Sequence, residues 1–237
     1  MDYERAVEMA PAGWRKFGMK ALARLPQEVR RHELSRVPDA ERKLVDAGDP
    51  AAIERLRRAF FWTFVYHLQP NLWDALARLE PIHPDVIAAL PNSARRGIDI
   101  GAGSGRLTQH LLARCEQVVA VEPSAGLRSI LSKRMPNVKI VGGWAEALPL
   151  EDRCSDLTAA CGALGPEPDV LRELERVTAV GGLMALISPE HPEWFEAHGW
   201  NRLTAAKMAA LDHEPWIDEY FGAPDPPREL LTRRVTT

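Results

Sequence analysis

Gly97-Ile98-Asp99-Ile100-Gly101-Ala102-Gly103-Ser104-Gly105 is the stretch whose reading decides the fold. An apolar run enters a Gly-x-Gly-x-Gly turn, and the helical spacing of Arg106–Arg114 follows. Glycines carry no side chain, so the backbone can turn sharply there and approach a ligand closely. A helix that begins after such a turn adds unpaired N–H groups. Downstream, Val118–Val121, Val138–Val141, Asp156–Cys161 and Leu183–Ser188 read as further strands. Ser124–Arg134 and Asp169–Thr178 read as helices between them. Near-continuous apolar strands that alternate with helices predict an α/β fold, a doubly wound parallel sheet covered on both faces. Towards the end, Pro192–His198 reads as a helix, and Trp200–Thr204 and Leu230–Val235 read as two closing strands, expected to be antiparallel. Pro224, Pro226 and Pro227 mark a loop between them.

Upstream of residue 90 the pattern is different. Ile53, Leu56, Phe60 and Phe64 recur at helical spacing, and Leu72, Leu76 and Leu79 continue it. Prolines at 11, 26, 38, 50, 70, 81 and 84 cut the region into short helices. Two regions are therefore expected: a helical cover over residues 1–90 and a ligand-binding domain over residues 91–237. The aromatic surface of residues 53–79 (Phe60, Phe61, Trp62, Phe64, Tyr66, Trp73) must be buried, and a cover over the sheet's ligand crevice would bury it.

Composition narrows the function. With 46% hydrophobic and 27% charged residues, the 237-residue chain has the material for a packed core. Its net charge of −3 argues against broad nucleic-acid or anionic-membrane binding, which needs a basic footprint. Three cysteines (Cys115, Cys154, Cys161) are too few and too irregular for a disulfide framework or a thiolate metal site, so no metal is expected. No apolar run reaches bilayer length, and Met1–Arg5 lacks a signal-peptide core. A reduced cytoplasmic setting is the expectation.

The glycine turn departs from the dinucleotide fingerprint Gly-x-Gly-x-x-Gly. Its third glycine comes one residue early, and Arg106 stands where that fingerprint has glycine. The turn thus suits a nucleoside ligand without a pyrophosphate better than a nicotinamide dinucleotide. Glu122 ends the second strand seventeen residues after Gly105, where an acid can accept from both ribose hydroxyls, and Ser124 reads as a helix N-cap.

Taken in order, the turn at 97–105, Glu122, Gly143-Trp144-Ala145-Glu146-Ala147-Leu148-Pro149-Leu150, and Glu173-Leu174-Glu175-Arg176-Val177 with Gly181-Gly182 resemble the motifs of class I S-adenosylmethionine-dependent methyltransferases. More narrowly they resemble the type 11 small-molecule group. The resemblance covers about residues 90–190. It implies a Rossmann-like seven-stranded sheet with six parallel strands and one antiparallel, and methyl transfer from S-adenosylmethionine to a small-molecule acceptor. It also implies cofactor contacts at Asp99, Gly101, Ala102, Gly103, Gly105, Glu122 and Pro123, then at Trp144, Ala145 and Glu146 around adenine, and at Cys161 near the sulfonium.

Two departures matter. Trp144 replaces the acid that often reads the adenine amino group. It either stacks on adenine or turns into the core. After the fourth strand, where many relatives carry a histidine, Cys161-Gly162-Ala163-Leu164-Gly165-Pro166 offers no titratable side chain before Glu167 except the Cys161 thiol, so no catalytic base is assigned. Acceptor-lining candidates are Trp62, Tyr66 and His67 in the aromatic run and His191 after the fifth strand. For the aromatic run, a helix buried on all sides is the competing reading; for His191, a solvated loop. A non-catalytic cofactor scaffold and a nucleotide-dependent oxidoreductase remain the alternatives to a methyltransferase.

Overall fold

The computed structural model describes residues 3–236 and divides the chain into two compact units. The helical unit runs to Leu76 and takes in Asp212–Pro224. The sheet unit comprises Ala77–Leu211 and the chain from Asp225 onward. These boundaries differ from the expected division at residue 90. Ile82, Val86, Ile87 and Leu90 share a core with Leu107 and Leu111, which assigns them to the sheet unit.

Helices of the N-terminal stretch are α1 (Tyr3–Glu8), α2 (Lys20–Arg24), α3 (Gln27–Ser35), α4 (Asp39–Asp46), α5 (Pro50–Ala59), α6 (Phe61–Leu68) and α7 (Pro70–Leu79), with a 3-10 turn at Ala12–Lys16. Helix α5 starts where proline and N-cap chemistry place it. Pro50 occupies the first turn, and the Asp49 carboxylate accepts from the Ala52 N–H at 2.7 Å. On α6, Phe61, Thr63, Phe64 and Val65 are buried, but Trp62, Tyr66 and His67 are only half-buried, so the helix is not enclosed on every side. Phe17 lies against Phe64 at 5.1 Å between ring centroids, and Arg15 and Arg57 lie over the Trp14 ring.

In the sheet unit come α8 (Pro84–Ala88), β1 (Ala94–Ile100), α9 (Thr108–Leu112), β2 (Cys115–Val121), α10 (Ala125–Arg134), β3 (Lys139–Val141), β4 (Ser155–Cys161), α11 (Pro168–Val177), β5 (Thr178–Ile187), α12 (Pro192–Ala197) and β6 (Asn201–Thr204). Helix α13 (Pro215–Phe221) belongs to the helical unit, after which β7 (Glu229–Arg234) closes the sheet. Helix α13 falls where only a loop is expected. Its Phe221 stacks on Trp62 at 5.8 Å, and the Tyr220 hydroxyl donates to Gln69 Oε1 at 2.8 Å.

Sheet order is β3-β2-β1-β4-β5-β7-β6. Strands β1 to β5 pair in parallel, while β7 is antiparallel to both β5 and β6, which leaves six strands in one direction and one reversed. Alternation along each strand divides the core into two layers. Ala120, Leu157, Ala159 and Ile187 face Leu107, Leu111 and Leu131 on one side. Ile98, Ile100, Val121 and Leu186 face Leu174, Val177 and Phe195 on the other. The order reverses between β1 and β4, and in open α/β sheets a ligand crevice opens beyond the carboxyl ends of the strands at such a point.

Candidate functional site

The strand ends at the reversal carry the glycine turn. Gly101, Gly103 and Gly105 all have positive φ (65°, 57° and 103°), a conformation that side chains resist. The Gly101 and Ala102 N–H groups donate to Val121 O, at 2.9 and 3.1 Å, so the turn is tied to the end of β2. Residues 101–107 stay in turns, and regular helix begins only at Thr108, two residues later than the periodicity suggests.

Glu122 is buried, and its two carboxylate oxygens are oriented by backbone. Oε2 accepts from the Gly103 N–H at 2.8 Å and Oε1 from the Ser124 N–H at 2.7 Å. Each oxygen keeps a further lone pair for a ligand. Burial raises the Glu122 carboxyl above its usual range, and the Ser124 and Gly103 N–H groups and Arg128 oppose that shift. Arg128 also donates to the carbonyls of Glu122 and Pro123, both at 2.7 Å, which fixes the Glu122–Pro123 turn. Ser124 caps α10 through a bond from the Leu127 N–H, as its sequence position suggests.

Asp99, one residue before the end of β1, is 1% exposed. Its Oδ2 accepts from the Thr108 hydroxyl at 2.6 Å, whereas Oδ1 has no protein partner. Burial pushes its pKa up to about 7, against the Thr108 bond, and the nearby Glu122 charge adds to the rise. A buried acceptor without a donor indicates that something else supplies one. A ligand ammonium meets that need, so the cradle of glycines, Glu122 and Asp99 fits the nucleoside and the amino-acid end of S-adenosylmethionine.

A second pair of motifs proves to be one structure. The Glu173 carboxylate on α11 accepts from the Leu148 N–H at 2.7 Å. Arg176, one helical turn on, donates to the carbonyls of Leu148 at 2.9 Å and Leu150 at 2.8 Å, and to Glu173 itself at 2.7 Å. The Glu-x-x-Arg of α11 therefore holds the loop containing Trp144, Ala145 and Glu146, all half-buried. Within that loop the Ala147 N–H closes back on Trp144 O at 3.2 Å.

Cys161 ends β4, and burial pushes its thiol up, away from the thiolate. His191 adopts φ 53° at the N-terminus of α12, half-exposed, its ring 3.5 Å from Glu193. Trp62, Tyr66 and His67 lie in the helical unit.

Sequence reasoning missed one group at the reversal point. Arg106 donates to Glu80 Oε2 at 2.9 Å, and Glu80 Oε1 accepts from the Asp225 N–H at 3.0 Å. No spacing signal links residues 80, 106 and 225. Among the described residues, no cluster of three or more His, Cys, Asp or Glu is arranged to hold a metal ion, and no helix is long and apolar enough to cross a membrane.

Known proteins similar to this chain include methyltransferases. A family model described as a methyltransferase domain matches residues 98–186. An uncharacterized methyltransferase of Mycobacterium tuberculosis is 36% identical over 131 residues, 54% of this chain and 52% of that protein. The chloroplastic 2-methyl-6-phytyl-1,4-hydroquinone methyltransferase 1 of Oryza sativa is 28% identical over 204 residues, 78% of this chain and 61% of that one. The crystal structure of an S-adenosylmethionine-dependent methyltransferase from Aquifex aeolicus matches with a TM-score of 0.50 at 16% identity, covering 71% of this chain and 99% of the other, a likeness of fold. The chain spans about half the length of the first curated relatives it matches.

Proposed function

We infer from the class I S-adenosylmethionine-dependent methyltransferase domain that this chain carries, matched over residues 98–186, that it methylates a small organic acceptor. The observation that carries the reading is the crevice at the β1/β4 reversal, where the glycine turn is bound to Glu122 beside the unpartnered Asp99 Oδ1. When bound, the cofactor would supply an electrophilic methyl group on a sulfonium, to whose carbon an acceptor lone pair would bond in line as the C–S bond breaks and its electrons go to sulfur.

The chain's own task is to bind and orient. Glu122 offers its remaining lone pairs to the ribose hydroxyls. Asp99 Oδ1 takes the ammonium. The loop at 144–146, held by Glu173 and Arg176, flanks adenine. Holding acceptor and methyl carbon in line lowers the barrier by several kcal/mol without any base. No residue is assigned as base, since the segment after β4 carries none.

A small-molecule acceptor is supported by the net charge of −3 and by the name of the rice relative, a phytylhydroquinone methyltransferase. His191, in the sheet unit with the crevice, is assigned to acceptor recognition as part of this proposal.

Calorimetry with S-adenosylmethionine, S-adenosylhomocysteine and NAD tests the cofactor assignment. Release of S-adenosylhomocysteine with a panel of phenols, quinols, amines and carboxylic acids tests the acceptor class. Binding of NAD in preference to both adenosyl ligands overturns the reading.

A further inference from the structure

Arg128 stands in the first turn of α10, and its guanidinium reaches back to the strand ends. One nitrogen, Nη1, donates to both the Glu122 and the Pro123 carbonyls at 2.7 Å. The same group lies against Gly142, the residue after β3. A Cβ at that position would stand 3.1 Å from Nη1, 3.2 Å from Cζ and 3.4 Å from Nη2. A side chain there would push the guanidinium away. Gly142 does not have positive φ, so its backbone does not call for glycine, but the close approach of Arg128 does. The guanidinium thus joins the ends of β2 and β3. Among the described residues Arg128 forms no ion pair, and the buried Glu122 carboxyl is the group on which its charge acts. Glu122 is faced by Asp99 from β1, by the Gly103 N–H from the glycine turn, and by the Ser124 N–H and Arg128 from α10 and its cap. Arg106 acts on Asp99 in turn.

Resting on the cofactor reading above, we propose that Arg128 is a positioning residue for the ribose subsite: its two carbonyl bonds set the turn that aims Glu122, and its charge keeps that buried carboxylate in the proton-free form that accepts from ribose hydroxyls. Each Glu122 oxygen already takes one backbone N–H, from Gly103 or from Ser124. The ionised group keeps one lone pair on each oxygen, enough for two hydroxyls. A proton on either oxygen occupies that oxygen's remaining lone pair and leaves a single acceptor. Burial works towards protonation, and the positive charge that opposes it is that of Arg128. Removing this charge raises the pH at which Glu122 loses its proton by about one unit, which is about tenfold in proton affinity. Gly142 is the part that β3 supplies, since its missing side chain gives the guanidinium its place.

Carbon-13 NMR of the side-chain carboxyls in the full chain, without ligand, reads the Glu122 titration directly. Calorimetry with S-adenosylhomocysteine from about pH 5.5 to about pH 8.5 reads its effect on binding. In Arg128→Met the Glu122 titration moves up by about one unit, and the Kd rises several-fold more at the acid end than at the alkaline end. Arg128→Lys keeps the charge, so its titration stays within about half a unit of the wild type and the pH profile of the Kd is restored. A purely structural role gives a loss of affinity that is equal at every pH. Glu122→Gln removes the part of the profile due to Glu122 and leaves the part due to Asp99, which tells the two apart. Should Arg128→Met fail to fold, Arg128→Gln, which keeps a donor without a charge, is read in its place. A Glu122 titration unmoved in the uncharged variant, a Kd loss equal at both ends of the pH range, or a titration in Arg128→Lys displaced as far as in Arg128→Met each overturns the role of Arg128 and leaves the cofactor reading intact. A wild-type chain that binds no adenosyl ligand overturns that reading, while the NMR titration still decides whether Arg128 keeps Glu122 ionised.

Discussion

Asp99→Asn separates the charge of a buried group from its shape. The folded carboxyl has a pKa of about 7 against an ordinary 3.8. Because the folded state holds this proton more tightly than the unfolded state, stability is greatest where the group stays protonated. It declines as pH rises from about 4 and levels off above about 8. A rise of roughly 3 units corresponds to a ceiling of about 4 kcal/mol, at about 1.4 kcal/mol per unit. Asparagine keeps the acceptor for the Thr108 hydroxyl and cannot ionise. It places an amide where Oδ1 has no partner, at a cost of about 1–3 kcal/mol that does not vary with pH. The informative quantity is therefore the difference in Tm between variant and wild type, followed without cofactor from pH 5 to pH 8.5. That difference should move in favour of Asp99→Asn as pH rises, by up to about 5–11 °C, since about 2 of the 3 units fall between pH 5 and pH 8.5 and each kcal/mol is worth about 2–4 °C. Parallel Tm curves for the two proteins across this range would refute the claim that Asp99 is buried as a strained acid. With cofactor present the order should reverse, since the ammonium loses its counter-charge.

Glu122→Ala should weaken S-adenosylmethionine binding at least tenfold by calorimetry, from two charge-assisted bonds of about 1.5–3 kcal/mol each; wild-type affinity in this variant means the ribose lies elsewhere. Gly103→Leu should abolish cofactor binding in a folded protein, because the residue has φ 57° and its N–H is committed to Glu122. Arg176→Met should lower the unfolding free energy by about 1–3 kcal/mol, read as a fall in the denaturant midpoint, and loosen the loop at 143–150. Its cofactor Kd should rise several-fold as well, and a stability loss with unchanged Kd would detach that loop from adenine.

The strands of the sheet were legible because burial on both faces leaves nearly unbroken apolar runs, as in Val118–Val121 and Leu183–Ile187. Their edges were not. Strand β1 begins with Ala94-Arg95-Arg96, whose charges lie outside the core, and β5 begins at Thr178 and runs through Gly181-Gly182, a pair that reads as a turn. Helix α13 escaped notice because only Ile217 and Phe221 mark its buried side, in a stretch crowded with prolines. In the site, Glu122 and the glycines could be found because their spacing is local to one βαβ unit. The Glu80–Arg106–Asp225 contact could not, because it joins residues 26 and 145 positions away from Glu80. The joint role of Glu173 and Arg176 was half-visible: the motif stood out, but that it grips the backbone of another motif emerges only from the bonds to Leu148 and Leu150.

The helical unit takes its last helix from far along the chain, and this has a consequence for biosynthesis. Phe221, which stacks on Trp62 and meets Phe61 edge-on, leaves the ribosome 160 residues after Phe61. At about 5–20 residues per second that is roughly 8–30 s, during which the whole of β1 to β6 is made. For that interval the aromatic side of α6 waits for the helix that closes it. A nascent chain paused before residue 215 should present Phe61 and Trp62 to chaperones that bind exposed aromatic surface, and should release them once Pro215–Phe221 emerges.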